Sequence, residues 1–116
     1  QRLVDEYLLS EKHFWAPYPI SSVSRSEPSY NPTTKLRVLS GLNFEFLWRG
    51  STWININWFL ARGLRRNGYE EEAAELWRKT RELVLKSGFC EHYNPETGQG
   101  MGAKPLGWST LVVDLI

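Results

Sequence analysis

The stretch CEHYNPETGQGMG, Cys90 to Gly102, sets one carboxylate, Glu91, between Phe89 and Tyr93 and just ahead of a turn built from Asn, Pro and Gly. A carboxylate among aromatic rings and glycines loses hydration and becomes a better proton acceptor, and general acid or base work is done in such pockets. The plainer reading is a solvated acid in a surface loop. The neighbours weigh against it without excluding it. NPETG (94–98) is first of all a reverse turn, since Asn before Pro with a closing Gly turns the chain at little cost, and its role can be no more than to aim Glu91.

A second group of residues lies upstream. Trp48-Arg49-Gly50, with Trp53 and Asn55, offers flat apolar faces for sugar rings, a forked donor for hydroxyls or a carboxylate, and an amide. The same residues serve equally well as core tryptophans with a structural arginine, so both readings stay open. Asn57, one turn deeper in an apolar helix, fits a satisfied structural hydrogen bond. GQGMG (98–102) follows no strand and is a poor phosphate loop. His13 and His92 have no metal-ligand spacing, and neither a GxSxG elbow nor a CxxC pair occurs, so metal and serine-nucleophile mechanisms have no support in the sequence and no cofactor is implied.

Helices must position these groups. Leu3, Val4, Tyr7 and Leu8 recur at helical spacing until Pro17 and Pro19 forbid continuation, which predicts a short first helix or the tail of a longer one. Residues 14–47, rich in Ser and Pro, read as a long connection that forms a lid or rim. From there Ser51 or Thr52 can cap a helix whose Trp53, Ile54, Ile56, Trp58, Phe59, Leu60, Ala61 and Leu64 are apolar nearly all round, which predicts a buried element ending at Asn67-Gly68. The next helix repeats Ala73, Leu76, Trp77, Thr80, Leu83 and Val84, with acids in its first turn and Lys86 before Gly88, and reads as amphipathic and half-exposed. A second apolar helix begins at Trp108.

A buried helix, a tight turn, an amphipathic helix and a second buried helix are the order expected of an all-α chain that forms part of an (α/α)6 barrel, with inner and outer helices alternating. In that geometry the inner helix starts at the rim to which its partner returns. WRGSTW (48–53) and the loop carrying Glu91 should then lie at the same end. No self-similar period supports a helical repeat protein instead.

Composition narrows the class. The 116 residues leave room for one small domain, and a net charge of +1 gives no general pull towards nucleic acid, even with Arg62, Arg65 and Arg66 clustered at a helix end. No apolar run is long enough for a membrane span, and the first residues lack the pattern of a signal peptide. One cysteine, Cys90, makes no internal disulfide, which suits a reducing compartment and a cytoplasmic location. Six Trp, five Tyr and five Phe are many for this length, and several stand beside Asn, Arg or Gly in apparent loops, where aromatic rings often line ligand sites. Gln1 is not an initiator Met and the helix from Trp108 has no stop signal, so the reading is one portion, residues 1–116, of a longer catalytic domain.

LWRGSTWININWFLARGLRRNGY, SGFCEHYNPETGQGMG and PLGWS resemble the C-terminal part of the catalytic domain of glycoside hydrolase family 63, over about residues 14–116. Within that family the chain is most similar to bacterial mannosylglycerate and glucosylglycerate hydrolases. The resemblance implies an (α/α)6 barrel and an inverting exo-α-glycosidase that needs no metal. The Glu of the family's E-x-Y-N/D-P-x-T-G motif is its general base, which falls here on Glu91. Trp48, Arg49, Trp53 and Trp108 fall at motif positions near the sugar subsite, and Lys104 in a loop whose counterparts approach substrate. Tyr18, Tyr30 or nearby basic residues could then face an anionic aglycone.

Inversion also needs a carboxylic acid roughly 6.5–9.5 Å from the base. The family's acid is an Asp well upstream of the WRG motif, and Asp5, Glu45 and Asp114 match no motif. The implied partners are therefore a small carbohydrate substrate and the remainder of the barrel, with the isolated 116 residues inactive. The runner-up activity is a trehalase-like or oligosaccharide-trimming α-glucosidase. A reading of another class is a non-catalytic helical module that binds sugars or peptides without turnover.

Overall fold

The computed structural model describes residues 2–33, 35–37, 43–45 and 50–102, the two short strands as backbone alone. Trp48, Arg49, Lys104 and the segment from Trp108 lie outside the described residues. Two helices form the frame: α1 (Ile54–Arg66) and α2 (Glu70–Ser87). The strands are β1 (Lys35–Arg37), β2 (Asn43–Glu45), β3 (His92–Tyr93) and β4 (Gly100–Met101), and a single π-helical turn, Val4–Leu8, stands at the N-terminal end.

The helices pack antiparallel because each presents one apolar stripe at the same spacing. Ile54, Asn57, Ala61 and Leu64 are the buried residues of α1, and Ala73, Leu76, Thr80 and Leu83 those of α2, three and four residues apart in both. Ala61 and Leu64 meet Ala73 and Leu76 near the Asn67-Gly68 turn, together with Ile20, and Ile54 joins Leu83, Cys90 and Tyr93 at the other end. Each fully buried Leu or Ile contributes roughly 1.5–3 kcal/mol.

Between the two apolar clusters sits Asn57, fully buried and fully used. Its amide nitrogen donates to Pro19 O at 2.8 Å and to Thr80 Oγ1 at 2.9 Å, while Oδ1 accepts from Ile20 N at 3.1 Å. Thr80 in turn donates to Leu76 O at 2.7 Å. The structural role expected for Asn57 is thus its role here, and it pins the segment entering from Trp15 onto the helix pair. An amide left unmade in that setting would cost about 1–3 kcal/mol per group.

Three local expectations change. Neither Ser51 nor Thr52 caps α1: its N-cap is Trp53, in extended backbone with no side-chain cap, because the Thr52 backbone pairs with Tyr93 and its hydroxyl donates to Tyr18 O at 2.8 Å. Among the described residues α1 is covered on one face only, and Phe59 on the other is 64% exposed. The long connection also contains a hairpin, β1 against β2, with Lys35 opposite Glu45 and Arg37 opposite Asn43. Strands of three residues are too short to announce themselves by alternation. No helix among the described residues is long and apolar enough to cross a membrane.

Candidate active site

Four chain segments meet edge to edge beyond the Ile54 end of the helix pair. Ser21 bridges Thr52, Thr52 bridges Tyr93, and Tyr93 pairs with Gly100 in the β3–β4 hairpin. The Thr52–Tyr93 contact is reciprocal, with Thr52 N donating to Tyr93 O at 2.8 Å and Tyr93 N to Thr52 O at 2.9 Å. The backbone leading into α1 and the loop carrying Glu91 are therefore at the same end, as inner–outer alternation requires; Gly50 to Trp53 is the part of WRGSTW described.

The hairpin aims Glu91. At its closed end Asn94 Oδ1 accepts from Glu96 N at 2.9 Å and Thr97 N at 3.3 Å, and Gly98 N donates to Asn94 O at 2.7 Å. This is the Asn-Pro turn that the sequence predicts, tightened by its own side chain. At its open end Glu91 stands immediately before β3 and Gly102 immediately after β4, and the two touch. A Cβ built on Gly102 would lie 2.7 Å from Glu91 Cβ, 3.0 Å from Glu91 Oε1 and 3.0 Å from His92 Nε2.

Behind the carboxylate is a stacked pair. The His92 ring lies 4.8 Å from the Trp53 ring at an interplanar angle of 26°, both buried, and His92 Nε2 is 3.8 Å from Glu91 Oε1. Glu91 itself keeps 22% of its side chain exposed. It can exchange a proton with a molecule from outside while its inner oxygen faces a fixed wall. Trp53 is a buttress rather than an open sugar-stacking face, with 2% of its surface accessible. Asn55 Oδ1, in the first turn of α1, is buried with no hydrogen-bond partner among the described residues.

Gly102 has φ +74°, in the left-handed region that suits glycine. Gly102→Ala adds both backbone strain and a methyl group against Glu91. If Glu91 acts on a substrate in the complete protein, this change should lower kcat roughly 10- to 100-fold, the order that a 1 Å misplacement costs, measured against wild type well below the unfolding temperature. Unchanged kcat would show that Glu91 has room to spare.

Elsewhere the sequence reading missed a cluster. Arg25 Nε donates to Glu96 Oε1 at 2.8 Å and Nη2 to Glu96 Oε2 at 2.9 Å, while Tyr30 Oη donates to Glu96 Oε1 at 2.9 Å. Burial first, then the Glu96 hydrogen bond and charge, push the Tyr30 phenol well above its ordinary pKa, so it stays a donor. Tyr30 is thereby committed to Glu96, and Tyr18 takes a 3.4 Å hydrogen bond from Lys86 Nζ. No local pattern announces partners 71 residues apart. The importance of His92 was also illegible, because stacking on Trp53 depends on the Thr52–Tyr93 bridge.

Comparison with known proteins identifies the family. The model of the mannosylglycerate hydrolase MGH1-like glycoside hydrolase domain matches residues 1–109. A mannosylglycerate hydrolase of Rubrobacter radiotolerans is 39% identical over 97 residues, 82% of this chain and 22% of that protein. One from Thermus thermophilus is 35% identical over 105 residues, 88% of this chain and 22% of its own. The crystal structure of a family 63 mannosylglycerate hydrolase from the same species, in complex with glucose, superimposes with a TM-score of 0.71 at 35% identity, over 86% of this chain and 22% of that one.

The chain thus spans about a fifth of the length of these relatives. Family 63 hydrolases have an (α/α)6 barrel, and the α1–α2 pair is a portion of one. With the matched family region running through both helices and the Glu91 hairpin, the chain belongs to the MGH1-like glycoside hydrolase domains of glycoside hydrolase family 63.

Proposed function

We propose that these 116 residues are the C-terminal portion of the catalytic domain of an inverting exo-α-glycosidase, acting on a small α-mannoside or α-glucoside such as mannosylglycerate or glucosylglycerate. The observation that carries the proposal is the placement of Glu91 at the open end of the hairpin, partly exposed, fixed by Gly102 on one side and the His92–Trp53 stack on another. Glu91 is the general base. It takes a proton from a water that attacks the anomeric carbon on the face opposite the leaving oxygen, while a carboxylic acid on the remainder of the barrel protonates that oxygen.

Trp48, Arg49, Trp108 and Lys104 contribute to the sugar subsite, and Trp53 acts on it from behind, through His92. The apolar positions of α1 that the described residues leave uncovered, Phe59 above all, suit an inner barrel helix whose other face meets the rest of the barrel. The isolated 116 residues lack the acid and are inactive, and measurable turnover by them would defeat this part of the proposal.

The test is the anomer released. In the complete enzyme carrying these residues, proton NMR of fresh digests of mannosylglycerate, glucosylglycerate and trehalose should show the β-anomer first from one of them. Initial release of the α-anomer would overturn inversion. No release from any would favour a larger α-glucoside or a binding module without turnover.

A further inference from the structure

The geometry points to Arg25 and Tyr30 as positioning residues for Glu91, acting through Glu96 and the NPETG turn. This inference rests on Glu91 being the general base.

The hairpin between Glu91 and Gly102 is a short lever. Its strand portion is two residue pairs long, roughly 7 Å at about 3.4 Å per residue, with Glu91 and Gly102 at the open end and Glu96 at the turn. So short a ladder cannot fix its own tilt. One edge, Tyr93, is tied to Thr52. The turn end is held from two sides: from α2, Lys86 Nζ donates to Thr97 O at 2.6 Å and Ser87 Oγ to Gly98 O at 2.8 Å, and from the long upstream segment both Glu96 oxygens take the Arg25 fork, with Tyr30 adding a third hydrogen bond. Tyr18 N also donates to Pro95 O at 2.8 Å.

Arg25 is itself anchored, with Arg25 N donating to His13 O at 2.6 Å and Nη1 donating to Glu11 O. The Arg25 and Glu96 side chains are 27% and 31% exposed, dry enough for a bidentate pair to hold its geometry better than a surface ion pair does. Tyr30 reaches a second part of the site. Its ring passes so close to Gly50 that a Cβ there would sit 2.9 Å from Tyr30 Cδ2. One latch therefore bears on both Gly50, the described end of WRG, and the Glu91 hairpin.

The test uses the complete enzyme and reads kcat and KM separately for R25Q, R25K, Y30F, E91Q and the R25Q/E91Q double variant. R25Q should lower kcat roughly 10- to 100-fold with KM within about threefold. R25K, which keeps the charge but not the fork, should regain part of the loss. In the E91Q background R25Q should cost no more than about twofold further, because residues that act as a unit are not additive.

An equal fold-loss in both backgrounds would mean that Arg25 works independently of Glu91 and would overturn the inference. So would a normal kcat in R25Q. Should R25Q fail to fold, Y30F reads the same latch: a kcat several-fold down supports it, and an unchanged kcat overturns it. Full turnover by E91Q would remove the base assignment and this inference together, whereas an inactive E91Q beside a fully active R25Q removes this inference alone.

Discussion

Replacing Glu91 by Gln in the complete enzyme should lower kcat by roughly 10²- to 10⁴-fold, the range a general base supplies, while KM changes little. Gln has the shape of Glu and keeps one acceptor oxygen, so the contacts with Gly102 and His92 survive the change. What it loses is the ability to accept a proton from water at neutral pH. A positioning or purely structural acid behaves otherwise, because the amide could still occupy the space. Steady-state kinetics on the substrate that releases its sugar fastest make the distinction. A kcat within tenfold of wild type would remove Glu91 from the base role. A rise in KM with kcat preserved would move it among the groups that bind substrate.

Gly100→Ala should be the most damaging change of a single methyl group among the described residues. A Cβ at Gly100 would lie 2.2 Å from Cys90 Sγ, 3.1 Å from Cys90 Cβ and 3.2 Å from Ser87 Cβ. Cys90 cannot easily retreat: it is buried against Ile54, Leu83 and Tyr93, its Sγ donates to Ser87 O at 3.2 Å, and its N donates to Tyr93 Oη at 3.1 Å. Overpacking of this kind costs about 1–3 kcal/mol, and here it also separates β4 from the end of α2. Thermal unfolding should show the loss, and Cys90→Ala added to Gly100→Ala should recover part of it by removing the sulfur. An unfolding midpoint equal to wild type would mean that the hairpin shifts without resistance. Should activity fall more than stability, the shift has carried Glu91 with it.

The role of Cys90 in this packing gives the lone cysteine a plain explanation. It is a small buried hydrophobe that fills the space left by Gly100, and its position next to Glu91 reflects packing at the start of the hairpin.

Much of this was legible along the chain. The nearly continuous apolar run of α1 and the 73-76-80-83 spacing of α2 announce two helices, their antiparallel packing follows from the Asn67-Gly68 turn, and NPETG declares its turn by residue type alone, although the one buried face of α1 is seen only in the fold. These are local matters, decided within three or four residues by spacing, backbone preference and side-chain reach. Glu91 itself stood out because of its immediate neighbours. The start of α1 was less legible, since the Thr52 hydroxyl that could cap a helix donates instead to Tyr18 O, 34 residues away in sequence.

Tertiary structure alone decided which groups face one another. Arg25 with Glu96, Trp53 with His92, and Gly102 with Glu91 are pairings of segments brought together by the Ser21–Thr52–Tyr93–Gly100 row of backbone contacts. No periodicity encodes such a row. It exists because unpaired backbone groups at the end of a helix pair must find partners, and those partners come from whichever segments the packed helices deliver there. The sequence by itself determined the helices, the turn and the acid; the fold determined what holds the acid still.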